Sequence, residues 1–132
     1  MLKERIATRH NVVALGPFTV DALAASASNQ QAGGDDGVVA PWAGSVIGMS
    51  GVLSAAASAG ELTVGASADG AENANSTVTV TTETVFSARF DAGRIPFAAD
   101  EQLGVEFSTD GDWDSTGSLK VTLFVIFENM DF

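Results

Sequence analysis

Leu119-Lys120-Val121-Thr122-Leu123-Phe124-Val125-Ile126-Phe127 is the stretch from which the fold is read. Leu119, Val121, Leu123, Val125 and Phe127 recur with a period of two, and successive side chains of an extended strand point to opposite faces. Phe124 and Ile126 put apolar groups on the second face as well. A strand covered on both faces lies centrally in its sheet or presses its second face against another subunit.

Working outward, Leu103, Val105 and Phe107 alternate with Glu106 and Ser108, the pattern of a half-buried strand. Asn75 to Phe90 is rich in Thr and β-branched residues. Val78 and Val80 are expected inward against Thr77, Thr79 and Thr81, followed by Phe86, Ala88 and Phe90, as one long bent strand or two. Leu62, Val64 and Ala66 follow the Ala59-Gly60 turn, and between Ser45 and Ser54 the period of two sets Ile47, Met49, Gly51 and Leu53 on one face. From Val38 onward turn signals recur about every ten residues and no helical period competes, which is the texture of a sandwich or barrel. The spacing predicts an all-β fold, a jelly-roll or Greek-key antiparallel β-sandwich of seven to eight strands, because the connections are longer than tight hairpins.

The N-terminal part reads differently. Asn11 to Val20 is apolar and β-branched, and Pro17 lacks the donor that a central strand needs, so an edge or bent strand fits. The same propensity fits an arm laid along a partner. Residues 21–37, with small side chains and the run Gly33-Gly34-Asp35-Asp36-Gly37, read as a mobile connector. The domain reading is therefore an N-terminal arm and connector over 1–37, able to contribute one strand, and a sandwich over 38–132.

A chain of 132 residues with 45% apolar residues suits one domain with a real core. The net charge of −11 is uneven: Lys3, Arg5 and Arg9 face only Glu4 within the first ten residues, and the remainder carries three basic against sixteen acidic residues. So acidic a body repels phosphate backbones, which argues against nucleic acid as a partner. No apolar run approaches the roughly 18 residues that span a bilayer, and MLKERIATRH lacks the apolar centre of a signal peptide, so synthesis in a cytoplasm without membrane insertion is expected. Without cysteine the fold holds by packing alone.

The chemistry-bearing residues are few. One histidine, two lysines, no cysteine and no tyrosine leave little from which to assemble a base beside a nucleophile, and His10 lies in the polar tip, so no enzyme is expected. Asp100-Glu101 are adjacent and would point to opposite faces of a strand, which fails the geometry of a glycosidase pair. Asp110, Asp112 and Asp114 resemble the start of a calcium loop, but the closing bidentate acid falls on Val121 and the loop glycine is Ser115, so a solvated turn is expected, with no metal and no cofactor. Trp42 and Trp113 suit the core or, if exposed, stacking platforms.

The segments Val39-Ala40-Pro41-Trp42-Ala43-Gly44-Ser45-Val46-Ile47-Gly48-Met49-Ser50, Ala59-Gly60-Glu61-Leu62-Thr63-Val64 and Phe97-Ala98-Ala99-Asp100-Glu101-Gln102-Leu103-Gly104-Val105 resemble a β-sandwich module of tailed-bacteriophage structural proteins, in particular capsid decoration or cement proteins. The likeness spans roughly residues 38 to 128; Ala99-Asp100-Glu101 departs from the Ala-Gly-Asp usual before that strand. The resemblance implies a jelly-roll knob, often a homotrimer, on the outer capsid surface of a virion, clamping neighbouring major capsid protein subunits. Residues expected to contact the capsid are the basic Lys3, Arg5 and Arg9 and the apolar Val12, Val13, Leu15 and Phe18, a flexible charged arm with apolar anchors. The alternative is a receptor- or glycan-binding module of a tail fibre or other appendage, with Trp42 and Trp113 as exposed platforms.

Overall fold

The computed structural model describes residues 12–33 and 37–128. In chain order the strands are β1 (Val13–Val20), β2 (Gln30–Gln31), β3 (Val38–Val39), β4 (Gly44–Leu53), β5 (Leu62–Ala68), β6 (Ala71–Glu72), β7 (Val78–Val80), β8 (Val85–Arg89), β9 (Pro96–Phe97), β10 (Gln102–Thr109) and β11 (Leu119–Phe127). A short 3-10 helix, Ala74–Ser76, precedes β7. The protein is all-β, with two antiparallel sheets arranged as a sandwich. The first runs β1-β11-β4-β8 with β9 also on β4, and the second runs β2-β10-β5-β6 with β3 also on β10 and β7 also on β5. Four of the eleven strand elements among the described residues are only two residues long, so the expected seven to eight strands correspond to the longer ones and miss the short edge pieces.

The period of two in the sequence is the inside of this sandwich. From the first sheet Leu119, Val121, Leu123 and Val125 are at 0% exposure, and they face Leu62, Val64 and Val105, also at 0%, from the second. Each such side chain contributes about 1.5–3 kcal/mol when fully removed from water. β11 is central, between β1 and β4, as its two-sided apolar pattern requires.

β4 departs from simple alternation. Phe124 pairs with Gly48 but Val125 pairs with Val46, so Ile47 is an extra residue in the ladder. A bulge flips the parity of everything on its far side. Met49, Gly51 and Leu53 therefore face inward as expected, whereas at the start of the strand Val46 takes the inner position at 2% exposure and Ile47 is only half-buried. Gly51 is required by packing: a Cβ there would stand 2.1 Å from Cζ of Phe86, whose ring from β8 fills that space. The Thr-rich segment resolves into two strands, β7 in the second sheet and β8 in the first, and the Thr81–Thr84 link crosses between them.

Of the two readings of Asn11 to Val20, the structure has the strand. β1 pairs with β11 from Val13↔Val125 to Val20↔Leu119, with a shift between Leu15 and Phe18 around Pro17 at the edge of the sheet. The connector is also more than a tether over its described part. Leu23 is 2% exposed and its N–H donates to the Gly117 carbonyl at 3.0 Å. The Ala27 N–H donates to Thr109 Oγ1 at 2.9 Å, and that hydroxyl donates to the Ala24 carbonyl at 2.6 Å. Small side chains let this segment lie close to the sandwich, where its backbone groups find partners. Phe18, Leu23 and Ala32 belong to the same core as the strands that follow.

Candidate functional site

The register of the first sheet composes its outer face rung by rung. Thr19 lies opposite Lys120, Lys120 opposite Val52, and Val52 opposite Val85, so one rung crosses all four long strands. The next holds Thr122, Ser50 and Ser87, and the third holds Ala14, Phe124, Gly48 and Arg89. Side chains that share a rung stand on the same side of the pleat. Val52 is 53% and Val85 65% exposed. With Pro17, Ser50, Ser87 and Lys120 they border an open trough of about 640 Å³.

This face is set apart by charge. The described residues carry thirteen Asp and Glu against Arg89, Arg94 and Lys120, and no carboxylate lies on β1, β4, β8, β9 or β11. Two of those three cations, Lys120 and Arg89, stand on the outer face of the first sheet. An otherwise acidic molecule thus presents a sheet face of hydroxyls, exposed valines and positive charge. Such a surface attracts an acidic partner.

Lys3, Arg5 and Arg9 lie outside the described residues, as does His10. Among the apolar arm positions Val12 is 54% exposed, while Val13 and Leu15 are half-buried against the core. Phe18, at 2% exposure, is a correction: its ring belongs to this chain's own core, facing Val121 across the ladder, and is not available to a capsid subunit.

The acidic loop closes on the protein itself. Asp110 Oδ2 accepts from the Glu61 N–H at 3.1 Å and Oδ1 from the Asp112 N–H at 3.1 Å. Asp114 Oδ1 accepts from the Ser58 N–H at 2.8 Å and the Ala59 N–H at 3.3 Å, and Oδ2 accepts from the Ser58 hydroxyl. The Ser58 hydroxyl first, then its backbone N–H, hold the Asp114 carboxyl below its ordinary value. These carboxylates staple the 58–61 turn to the 110–114 turn. Gly60 permits the approach: at φ +86° it is in the left-handed region, and a Cβ there would stand 2.3 Å from the Trp113 nitrogen.

The tryptophans differ. Trp113 is 3% exposed, with its Nε1 lacking a hydrogen-bond partner, so it fills the core and offers no platform. Trp42 is 44% exposed and stands edge-to-face on Phe127 at 5.6 Å, which in turn meets Phe97 at 5.8 Å. The paired stacking surface of the appendage reading is therefore reduced to one ring. Asp100-Glu101 forms a turn, in which Glu101 Oε1 accepts from the Ala98 N–H at 2.6 Å.

Sequence reasoning placed the candidate site at the N-terminal arm and missed the sheet face. The signal was present, since four long apolar strands lack Asp and Glu in a chain with 17 of them. Comparison with protein-family models, curated proteins and solved structures finds no match to this chain.

Proposed function

We propose that this chain is a virion structural protein, a capsid decoration or cement protein that acts by binding and not by catalysis. On this reading it seats the outer face of its first sheet on acidic ground of the major capsid protein lattice, at the outer surface of a phage head. The carboxylate-free face bearing Val52, Val85, Lys120 and Arg89 is the observation that carries the reading. The strand order supports it: β1-β11-β4-β8 in one sheet, with β3 on β10 and β7 on β5 in the other, is compatible with the jelly roll that the resemblance to decoration proteins implies. Homotrimer formation belongs to the same reading, motivated by Phe124, which is only half-buried on the second face of β11.

The test is location. Purified chain added to undecorated heads should appear in a cryo-EM map as knobs over the outer lattice, and light scattering should give three copies per particle in solution or on the lattice. Val52→Glu with Val85→Glu should abolish attachment. Density confined to the tail, or none on the particle, would overturn the reading in favour of an appendage module or a function outside the virion.

A further inference from the structure

The outer face of the second sheet holds a buried carboxylate. Glu106 lies opposite Gln31 on one side and Gly65 on the other, between the inward-pointing Val105 and Phe107, so its side chain leaves the sheet on the face away from the core. It is nevertheless only 5% exposed. Glu72 of β6 reaches over the neighbouring Gly65, where a Cβ would stand 2.9 Å from Cγ and Cδ of Glu72 and 3.0 Å from its Oε2, and there it feels the Glu106 charge. Gly65 is thus the seat that brings a second carboxyl beside Glu106.

Among the described residues the surroundings supply dipoles but no positive charge. Gln31 Nε2 donates to Glu106 Oε2 at 3.4 Å, and Gln31 Oε1 accepts from the Ser67 hydroxyl at 3.1 Å. β2, β3, β5, β7 and the 3-10 helix carry no titratable side chain, and the turn before β6 adds a third carboxylate, Asp69, which accepts from the Gln102 N–H at 2.8 Å. The basic residues among those described lie on the first sheet or, as Arg94, between β8 and β9.

We propose that Glu72 and Glu106 form a proton-operated latch that holds β6 on the second sheet and closes one end of the sandwich. While the Glu72 carboxyl keeps its proton, the seat is spared a second negative charge. When that proton passes to water, two like charges face each other in a half-dry site with no cation among the described residues, and β6 lets go. Burial first, and the Glu106 charge second, hold the Glu72 carboxyl above its ordinary value of 4.5, which moves the release to higher pH than for a free carboxyl. The grip to be broken is small: two ladder pairs, Ser67↔Glu72 and Ala68↔Ala71, and the Asn73 N–H to Ala66 carbonyl bond at 2.9 Å. Behind β6 lies a cleft of about 250 Å³ between the sheets, with Val46, Ala66, Ile95, Phe97 and Leu103 as apolar walls and Glu72 and a further carboxylate, Glu101, on its lining. Release of β6 opens this cleft to small neutral molecules. The inference stands independently of the capsid reading.

Hydrogen exchange on the full chain tests it. Protection of the Asn73 amide, corrected for the base-catalysed intrinsic rate, should fall by about tenfold or more between about pH 5 and about pH 8, the equivalent of one pK unit of coupling. Nile red emission should rise over the same range. In Glu72→Gln and in Glu106→Gln both responses should vanish, and either variant suffices if the other fails to fold. Constant protection in the unmodified chain, or the same loss in the variants, would overturn the latch.

Discussion

Leu23→Ala removes a side chain at 2% exposure from a segment with no regular secondary structure. Leu→Ala in a core costs about 2–5 kcal/mol, the lost transfer energy plus the cavity left behind. Leu23 itself sits in a connecting segment that is hydrogen-bonded to another at Gly117, and such segments can close part of the gap, so the lower end applies, about 2–3 kcal/mol. Urea unfolding followed by tryptophan emission reads this directly. With slopes of about 1–3 kcal/mol per molar urea, the midpoint should fall by about 0.7–3 M at unchanged slope. Val12→Ala, at a position 54% exposed, is the control and should stay within about 0.5 kcal/mol. If the two midpoints coincide, the connector over residues 21–33 does not contribute to the core.

Deleting residues 1–20 removes β1, leaving the Phe18 site empty and one edge of β11 open, and should cost folding or cause aggregation, seen by circular dichroism; a soluble, fully folded product would refute this. Gly60→Ala should destabilise by well over the roughly 1–2 kcal/mol of its positive φ, because the Trp113 backbone must also move, whereas Gly70→Ala, at φ +81° with open space around it, should show the strain alone. Calcium should leave Tm unchanged, since Asp110 and Asp114 already accept backbone N–H groups; a rise abolished by Asp112→Ala would refute that. The pH profile has opposing limbs. The raised Glu72 contributes stability below 4.5 that is lost as pH rises through its folded value, while the lowered Glu83 and Asp114 contribute stability above 4.5 and 3.8 that is lost as pH falls through theirs. Tm should therefore rise on going from about pH 8 to about pH 5 and fall below about pH 3.

The strands of the core were legible because a half-buried pleat writes a period of two, and β11 was legible as central because both its faces are apolar. The parity at Val46 and Ile47 was not, since a bulge leaves no local mark when both candidate residues are β-branched and apolar. The burial of Leu23 was hidden for a related reason: one leucine in a run of Ala, Ser and Gly has no period, and its partner, the Gly117 carbonyl, lies far along the chain. Trp113 read as an exposed loop residue or as core because the acidic residues around it are solvated while its ring turns inward. The outer face of the first sheet escaped notice because it is defined by four strands far apart in sequence. Only their register puts Lys120 beside Val52 and Val52 beside Val85.

That register also bears on why the face has its composition. Positions 52 and 85 are more than half exposed, so folding does not require valine there, and threonine would serve a strand about as well. Solubility favours charge at such positions, and the rest of the chain follows that preference with carboxylates on its loops and on the second sheet. A fold-level account leaves the valines unexplained, whereas contact with another surface explains both the apolar pair and the missing carboxylates beside Lys120 and Arg89. The two accounts separate experimentally. If contact is the reason, Val52→Glu and Val85→Glu leave Tm nearly unchanged, each within about 0.5 kcal/mol, and remove binding to the lattice. Equal losses of stability and binding would mean that the valines serve the sheet itself, and the docking face would have to be sought elsewhere.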